Sequence, residues 1–226
     1  MNSYPLGYRN LLLSVFLSCI CNSSASAEQE KQADFFPASA FDTDQVRNEI
    51  YQRWYGEPLA AMREPSLLGW TTRPDNKGIQ VYRFLWLRSF DHPVAVRVQK
   101  EQDGNVRLFT KVLDGHDGGG KLIVEKTKLI TNEEWLGLLK RIRDSEFWAI
   151  ATNEQNWYYT EDGMIAGWST KDGAEWVMEG SVGDNYHVVA RQSPNDGEYR
   201  KSGKYRDLCL YILTLSDLDL DKERVY

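Results

Sequence analysis

The stretch 172–191, DGAEWVMEGSVGDNYHVVAR, decides how the rest of the chain is read. Two apolar-rich runs flank a segment with two glycines and an aspartate, which predicts a β-hairpin with its loop at Gly180 to Asp184. Side chains alternate along a strand, and a slip of one residue exchanges the two faces. Matching apolar faces sets Ala174, Trp176 and Met178 beside Tyr186, Val188 and Ala190. The other face then gathers Glu175, Val177 and Glu179 with His187, Val189 and Arg191. No other short stretch brings His, Glu and Arg so close. It is therefore the first candidate for catalysis, with His187 as a base oriented by Glu175 or Glu179 and Arg191 holding an anionic substrate. Against this stands a plain structural role, because cross-strand acid–base neighbours contribute about 0.2–1 kcal/mol each to a sheet without any function.

Upstream of the hairpin, residues 79–88 carry Tyr82, Phe84 and Trp86 on one side and Val81 and Leu85 on the other. Apolar residues on both sides predict a central strand covered on both faces. Residues 94–99 alternate, Asp103-Gly104 marks a turn, and strands follow at 105–113 and 121–129. Thr131 with Glu134 reads as a capping box, opening a helix to Asp144 that buries Trp135, Leu138, Leu139 and Ile142. Thr43 opens an earlier helix over 44–56, with Val46, Ile50 and Trp54 on one face, the apolar one of an amphipathic helix. Short strands at 157–159 and 164–169 precede the hairpin, and a last helix over 204–215 buries Tyr205, Leu208, Ile212 and Leu215. Runs of strands punctuated by helices, without strict alternation, predict an α+β fold: a single domain with a largely antiparallel β-meander sheet packed by two or three helices.

Residues 1–27 have the form of a secretory signal peptide. Arg9 lies ahead of the apolar run Leu11 to Ile20, and Ala25-Ser26-Ala27 fits the small-residue cleavage rule. The run is shorter than the roughly 18–20 residues that span a bilayer, so no transmembrane segment is expected in the mature chain. Cys19 offers an alternative as a lipoprotein acylation site, which the bulky Phe16 and Leu17 before it fit poorly. Cleavage near Ala27 leaves a tether over 28–42 and a domain over 43–226, exported to the periplasm or secreted. Cys209 is then the one cysteine, so no internal disulfide forms. The full chain has a net charge of −6, and the leader holds one Arg and no acid. An acidic surface disfavours nucleic acid and suits a protein or envelope component as partner.

Familiar chemistries are missing. Gly115-x4-Gly120-Lys121 has the spacing of a phosphate-binding loop, but Leu122 replaces the magnesium-binding Ser or Thr and a strand follows instead of a helix. The run Asp217, Asp219, Asp221, Glu223 opens like a calcium loop, yet Lys222 stands where the required glycine should be. His92, His116 and His187 lack metal-ligand spacing, so no metal and no cofactor are expected. Glu175 and Glu179 on one strand have Cα atoms roughly 13 Å apart at ~3.3 Å per residue, against about 5–9.5 Å between carboxylates in glycosidases. Cys209 belongs to an apolar helix face and reads as buried. Among eight tryptophans and twelve tyrosines, Trp157 and Trp168 are least fixed by periodicity and are the candidates for an exposed, sugar-stacking platform.

The phrases YRFLWLRSFDHPVAVRV (82–98), DGAEWVMEG (172–180) and YHVVARQSP (186–194), with RDLCLYIL (206–213), resemble sequences in exported bacterial proteins without an assigned activity. The resemblance spans most of the mature chain and implies export and a single domain, with no site residues. Three functions are expected in order: a non-enzymatic binding or interaction domain, including an acidic inhibitor or immunity protein; a hydrolase-like enzyme using the hairpin face; and a carbohydrate-binding module.

Overall fold

Six strands form one sheet in the computed structural model, and every neighbouring pair is antiparallel. The structure describes residues 34–116, 119–154, 157–159, 162, 165–167, 173–194 and 203–219. The leader, Cys19 and Trp168 lie outside these. The strands are β1 (Gln80–Arg88), β2 (Val94–Lys100), β3 (Val106–Leu113), β4 (Leu122–Ile130), β7 (Ala174–Val182) and β8 (Asn185–Gln192), in the order β4-β3-β2-β1-β7-β8 across the sheet. A separate short pair joins β5 (Trp157–Tyr159) to β6 (Ile165–Gly167). Among the described residues three α-helices complete the fold: α1 (Gln45–Ala61), α2 (Asn132–Asp144) and α3 (Gly203–Thr214). The described residues form one α+β domain, as the element pattern predicts, and no helix among them is long and apolar enough to cross a membrane.

β1 is central and covered on both sides. Tyr82, Phe84 and Trp86 meet Trp135, Leu138 and Ile142 of α2 and Leu208 and Ile212 of α3 in one core. Leu85 and Leu87 meet Tyr55 and Leu59 of α1 in a second. The capping box of α2 is present, with the Glu134 carboxylate accepting from Thr131 N–H at 2.6 Å and Thr131 Oγ1 accepting from Glu134 N–H at 3.2 Å.

The first helix differs from expectation. Its cap is Asp44, whose carboxylate accepts from Arg47 N–H at 2.9 Å, and it runs through Pro58. Val46 and Ile50 point to solvent, while Asn48, Tyr55 and Leu59 are buried. The reason lies in the preceding segment, read as a tether. Phe36 and Phe41 stand edge-on to Tyr55, and Phe35 joins them in the core. Asn48 fixes that segment by accepting from Phe41 N–H (3.0 Å) and donating to the Ala38 carbonyl (2.6 Å). Residues 35–41 are thus part of the domain, and they rotate α1 onto its aromatic stripe.

α1 ends in a turn that folds the chain back sharply. Arg63 adopts a left-handed φ of 54°, Arg63 N–H donates to the Ala60 carbonyl and Glu64 N–H to the Leu59 carbonyl. This pair of bonds is the Schellman termination. The residue after the left-handed one is usually apolar; here it is Glu64, driven into the α1 face of the sheet. Its Oε2 accepts from Arg97 Nε at 2.9 Å and Arg83 Nη1 at 3.4 Å, and Lys111 Nζ lies 3.2 Å from Oε1. Lys111 also donates to the carbonyls of Met62 and Arg63, closing the end of α1. Arg83 turns its other nitrogens to Glu179 Oε2 (2.8 and 2.5 Å), and the Tyr186 hydroxyl donates to Glu179 Oε1 (2.9 Å). Burial opposes the charge on Glu64, but Arg97, Arg83 and Lys111 outweigh it and hold its pKa below the usual range. Replacing Glu64 by Ala leaves three buried cations against one buried carboxylate, and breaking such a pair costs about 3–5 kcal/mol. Urea unfolding of Glu64→Ala is expected to show a loss of that order, with the slope of the transition unchanged.

Candidate functional site

The hairpin pairs in a register different from the one read off the sequence. Val182 faces Asn185 across a two-residue turn of Gly183 and Asp184, and Gly183 has the positive φ (57°) that a turn with glycine at its first position requires. Gly180 and Ser181 belong to the strand because β1 pairs with them, Tyr82 opposite Gly180 and Val81 opposite Ser181. Trp176 then faces Arg191, Gly180 faces His187, and Glu175 and Glu179 face Gln192 and Val188. The expected grouping is divided. Glu175 and Glu179 lie on the α1 side of the sheet, His187 and Arg191 on the side of α2 and α3.

Each of the four has its own surroundings. Glu179 is fully buried and bound to Arg83 and Tyr186. Arg191 donates to three main-chain carbonyls, Ala151, Thr152 and Ala190, at 2.7–2.9 Å. With Ala190 N–H bonding the Thr152 carbonyl, it fastens residues 151–152 along the outer edge of β8. His187 Nε2 lies 3.0 Å from the Ile150 carbonyl. A carbonyl only accepts, so Nε2 carries the hydrogen and Nδ1 is left as an acceptor. Burial lowers the His187 pKa, nearby Arg191 adds to that, and the Ile150 carbonyl opposes it, so the ring favours its neutral form.

His187 borders an open cleft of about 420 Å³ together with Tyr82, Trp148 and Asn185. The local chain builds it from the end of α2. Glu146 takes a left-handed φ of 54°, Phe147 N–H bonds the Ile142 carbonyl, and Phe147 drops into the core. The next residue, Trp148, is thereby left outside, 37% exposed. Its ring lies 6.2 Å from Tyr82 and 6.3 Å from His187. Gly180 makes the packing under it possible, since a Cβ there would sit 2.8 Å from Phe147 and 3.0 Å from Tyr82. Trp148 carries no motif. The signal that would have found it is a pair of aromatic rings directly after a helix, of which a terminating turn buries only the first.

A second cleft, about 230 Å³, opens on the α1 side where Glu175 meets Trp54, Arg88 and Gln192. The Tyr55 hydroxyl donates to Glu175 Oε2 at 3.0 Å. Burial pushes the Glu175 pKa up to about 7, against which the Tyr55 hydrogen bond works only in part.

Trp157 lies in β5, of which only the backbone is described, and Trp168 is outside the described residues. The glycine loop after β3 leads into β4, closed by Lys121 N–H on Asp114 Oδ1 at 2.6 Å, so it has no helix to face a phosphate. Cys209 is buried, which raises its thiol pKa. Among the described residues no three metal-ligating side chains gather. No protein-family model matches the chain, and no curated protein matches it significantly.

Two outcomes follow from these environments. Gly180→Ala is expected to destabilise the fold by about 1–3 kcal/mol through overpacking of Phe147 and Tyr82, read by urea unfolding. Glu175 binds its proton more tightly folded than unfolded, so its stabilising contribution is full below the unfolded pKa near 4.5 and is lost as pH rises through about 7. Glu175→Gln removes that loss. Its stability relative to the parent is expected to gain up to about 3 kcal/mol between acid and mildly alkaline pH, measured by unfolding at a series of pH values.

Proposed function

We propose that this chain is an exported binding domain that takes a glycan of an envelope or extracellular polymer into the cleft over Trp148. The single observation carrying this is an indole ring offered to solvent beside His187 and Asn185 in an open, ring-lined cleft. A pyranose has an apolar face of C–H groups and a rim of hydroxyls. The flat indole suits the face, as amphipathic rings do at interfaces, while the Asn185 amide and His187 Nδ1 suit the rim. A binding role is favoured over a hydrolytic one because Glu179, Arg191 and His187 Nε2 spend their bonding on the fold itself, and because the acids and the imidazole lie on opposite sides of the sheet. Export is supported by the charged start, apolar run and Ala-Ser-Ala of residues 1–27.

The test is tryptophan fluorescence and calorimetry with soluble glucan and N-acetylglucosamine oligosaccharides. Saturable binding is expected, weakened at least about tenfold in Trp148→Ala, which corresponds to 1.4 kcal/mol. Absence of saturable binding across both sugar classes, or equal binding by the folded variant, overturns the proposal.

A further inference from the structure

The second cleft carries a different chemistry. Its floor is Glu175, a carboxyl nine-tenths buried whose one described hydrogen bond is from Tyr55. Register explains why no cation stands opposite it on β1 or β8. Glu179, two pleats along β7, is paired across the sheet with Arg83, whereas Glu175 is paired with Leu87 on β1 and Gln192 on β8. One wall is the half-buried Trp54, stacked on Tyr55 (5.5 Å, 25°) and on Tyr51 (6.4 Å, 26°). Arg88 also lines the cleft, but its guanidinium lies over the Trp86 ring at 4.0 Å and donates to the His92 carbonyl.

We propose that this cleft is a site for a small organic ammonium ion, paired with the Glu175 carboxylate and packed against the face of Trp54. A desolvated carboxylate beside an aromatic face is the pairing that recognises alkylated ammonium groups, since charge and ring quadrupole attract the same cation. A bare metal ion is the poorer fit: it wants several oxygen ligands, and among the described residues no cluster of three metal-ligating side chains occurs. The site stands apart from the Trp148 cleft, on the other side of the sheet, and does not depend on the glycan reading.

Binding the cation selects the ionised carboxyl, so one proton leaves as the ligand enters. Among the described residues the other charged or titratable groups near Glu175 are Tyr51 and Tyr55 of α1, Arg88 of β1 and, felt through the sheet, Tyr205 of α3. The three phenols are raised above their ordinary value, chiefly by burial, and stay protonated at neutral pH. Glu175, with its pKa at about 7, is then the group that sets the pH dependence.

The probe is choline chloride, titrated calorimetrically into the intact protein, with sodium chloride at the same concentrations as control. Affinity is expected to be roughly tenfold higher at about pH 8 than at about pH 6, with proton release visible as a buffer-dependent heat. Glu175→Gln, which keeps the side chain's size and an acceptor for the Tyr55 hydroxyl, is expected to abolish the response, and Trp54→Ala to weaken it several-fold with its pH dependence intact. No saturable heat from choline, an equal response to sodium chloride, or unchanged binding in Glu175→Gln overturns the assignment.

Discussion

The rest of the domain depends on Glu64. Three strands each bring a cation to one face of the sheet: Arg83 from β1, Arg97 from β2 and Lys111 from β3. Three buried charges on neighbouring strands repel one another and cannot stay without a counter-charge. Glu179 satisfies Arg83 from the far side, and Glu64 serves all three. Because Glu64 lies just beyond α1, the electrostatic need of the sheet is also what seats the helix. Lys111 makes the link explicit by holding the carboxylate and the Met62 and Arg63 carbonyls just past α1 together. A purely apolar contact would bury α1 as well, but would not set how far along the strands it lies. One carboxylate shared by three cations sets that position.

The same local device serves both sides of the sheet. α1 and α2 each end with a non-glycine residue in the left-handed region, Arg63 and Glu146, and with the same two reversing bonds. After α1 the reversal delivers a charge to the sheet. After α2 it delivers Phe147 to the core and leaves Trp148 outside. A left-handed L residue costs roughly 1–2 kcal/mol, which the core contacts of Phe147 and the ion pairs of Glu64 outweigh. The aromatic cleft is therefore a by-product of how a helix stops, positioned by the packing of its neighbour.

What was legible in the sequence follows the same division. Periodicity found β1 as the doubly covered strand, and the capping box found α2, because both signals are local and repeat over several residues. α1 was found with the wrong face buried. Val46, Ile50 and Trp54 form an apolar stripe by spacing, but the stripe that wins is the one that Phe36 and Phe41 can pack against, and those rings lie outside the helix. The charged network was not legible at all. Glu64, Arg83, Arg97 and Lys111 look like ordinary strand and loop charges until the antiparallel order brings them together.

The hairpin shows how one residue of register carries chemistry with it. Pairing the apolar positions of β7 with those of β8 treated the two strands as if they were alone. β7 is also paired with β1, and Tyr82 and Arg83 need Gly180 and Glu179 opposite them. That third strand extends β7 through Gly180 and shortens the turn to two residues. The parity change moves His187 and Arg191 to the helical side, where they bond the 150–152 segment, and leaves both glutamates facing α1. Of these, Glu179 meets an arginine and Glu175 meets Leu87. Four residues apart on one strand, with the same side chain and comparable burial, they differ in whether a cation stands opposite. Burial raises the pKa of both, and the cross-strand neighbour set by register decides what opposes it: Arg83 at Glu179, and only the Tyr55 hydroxyl at Glu175.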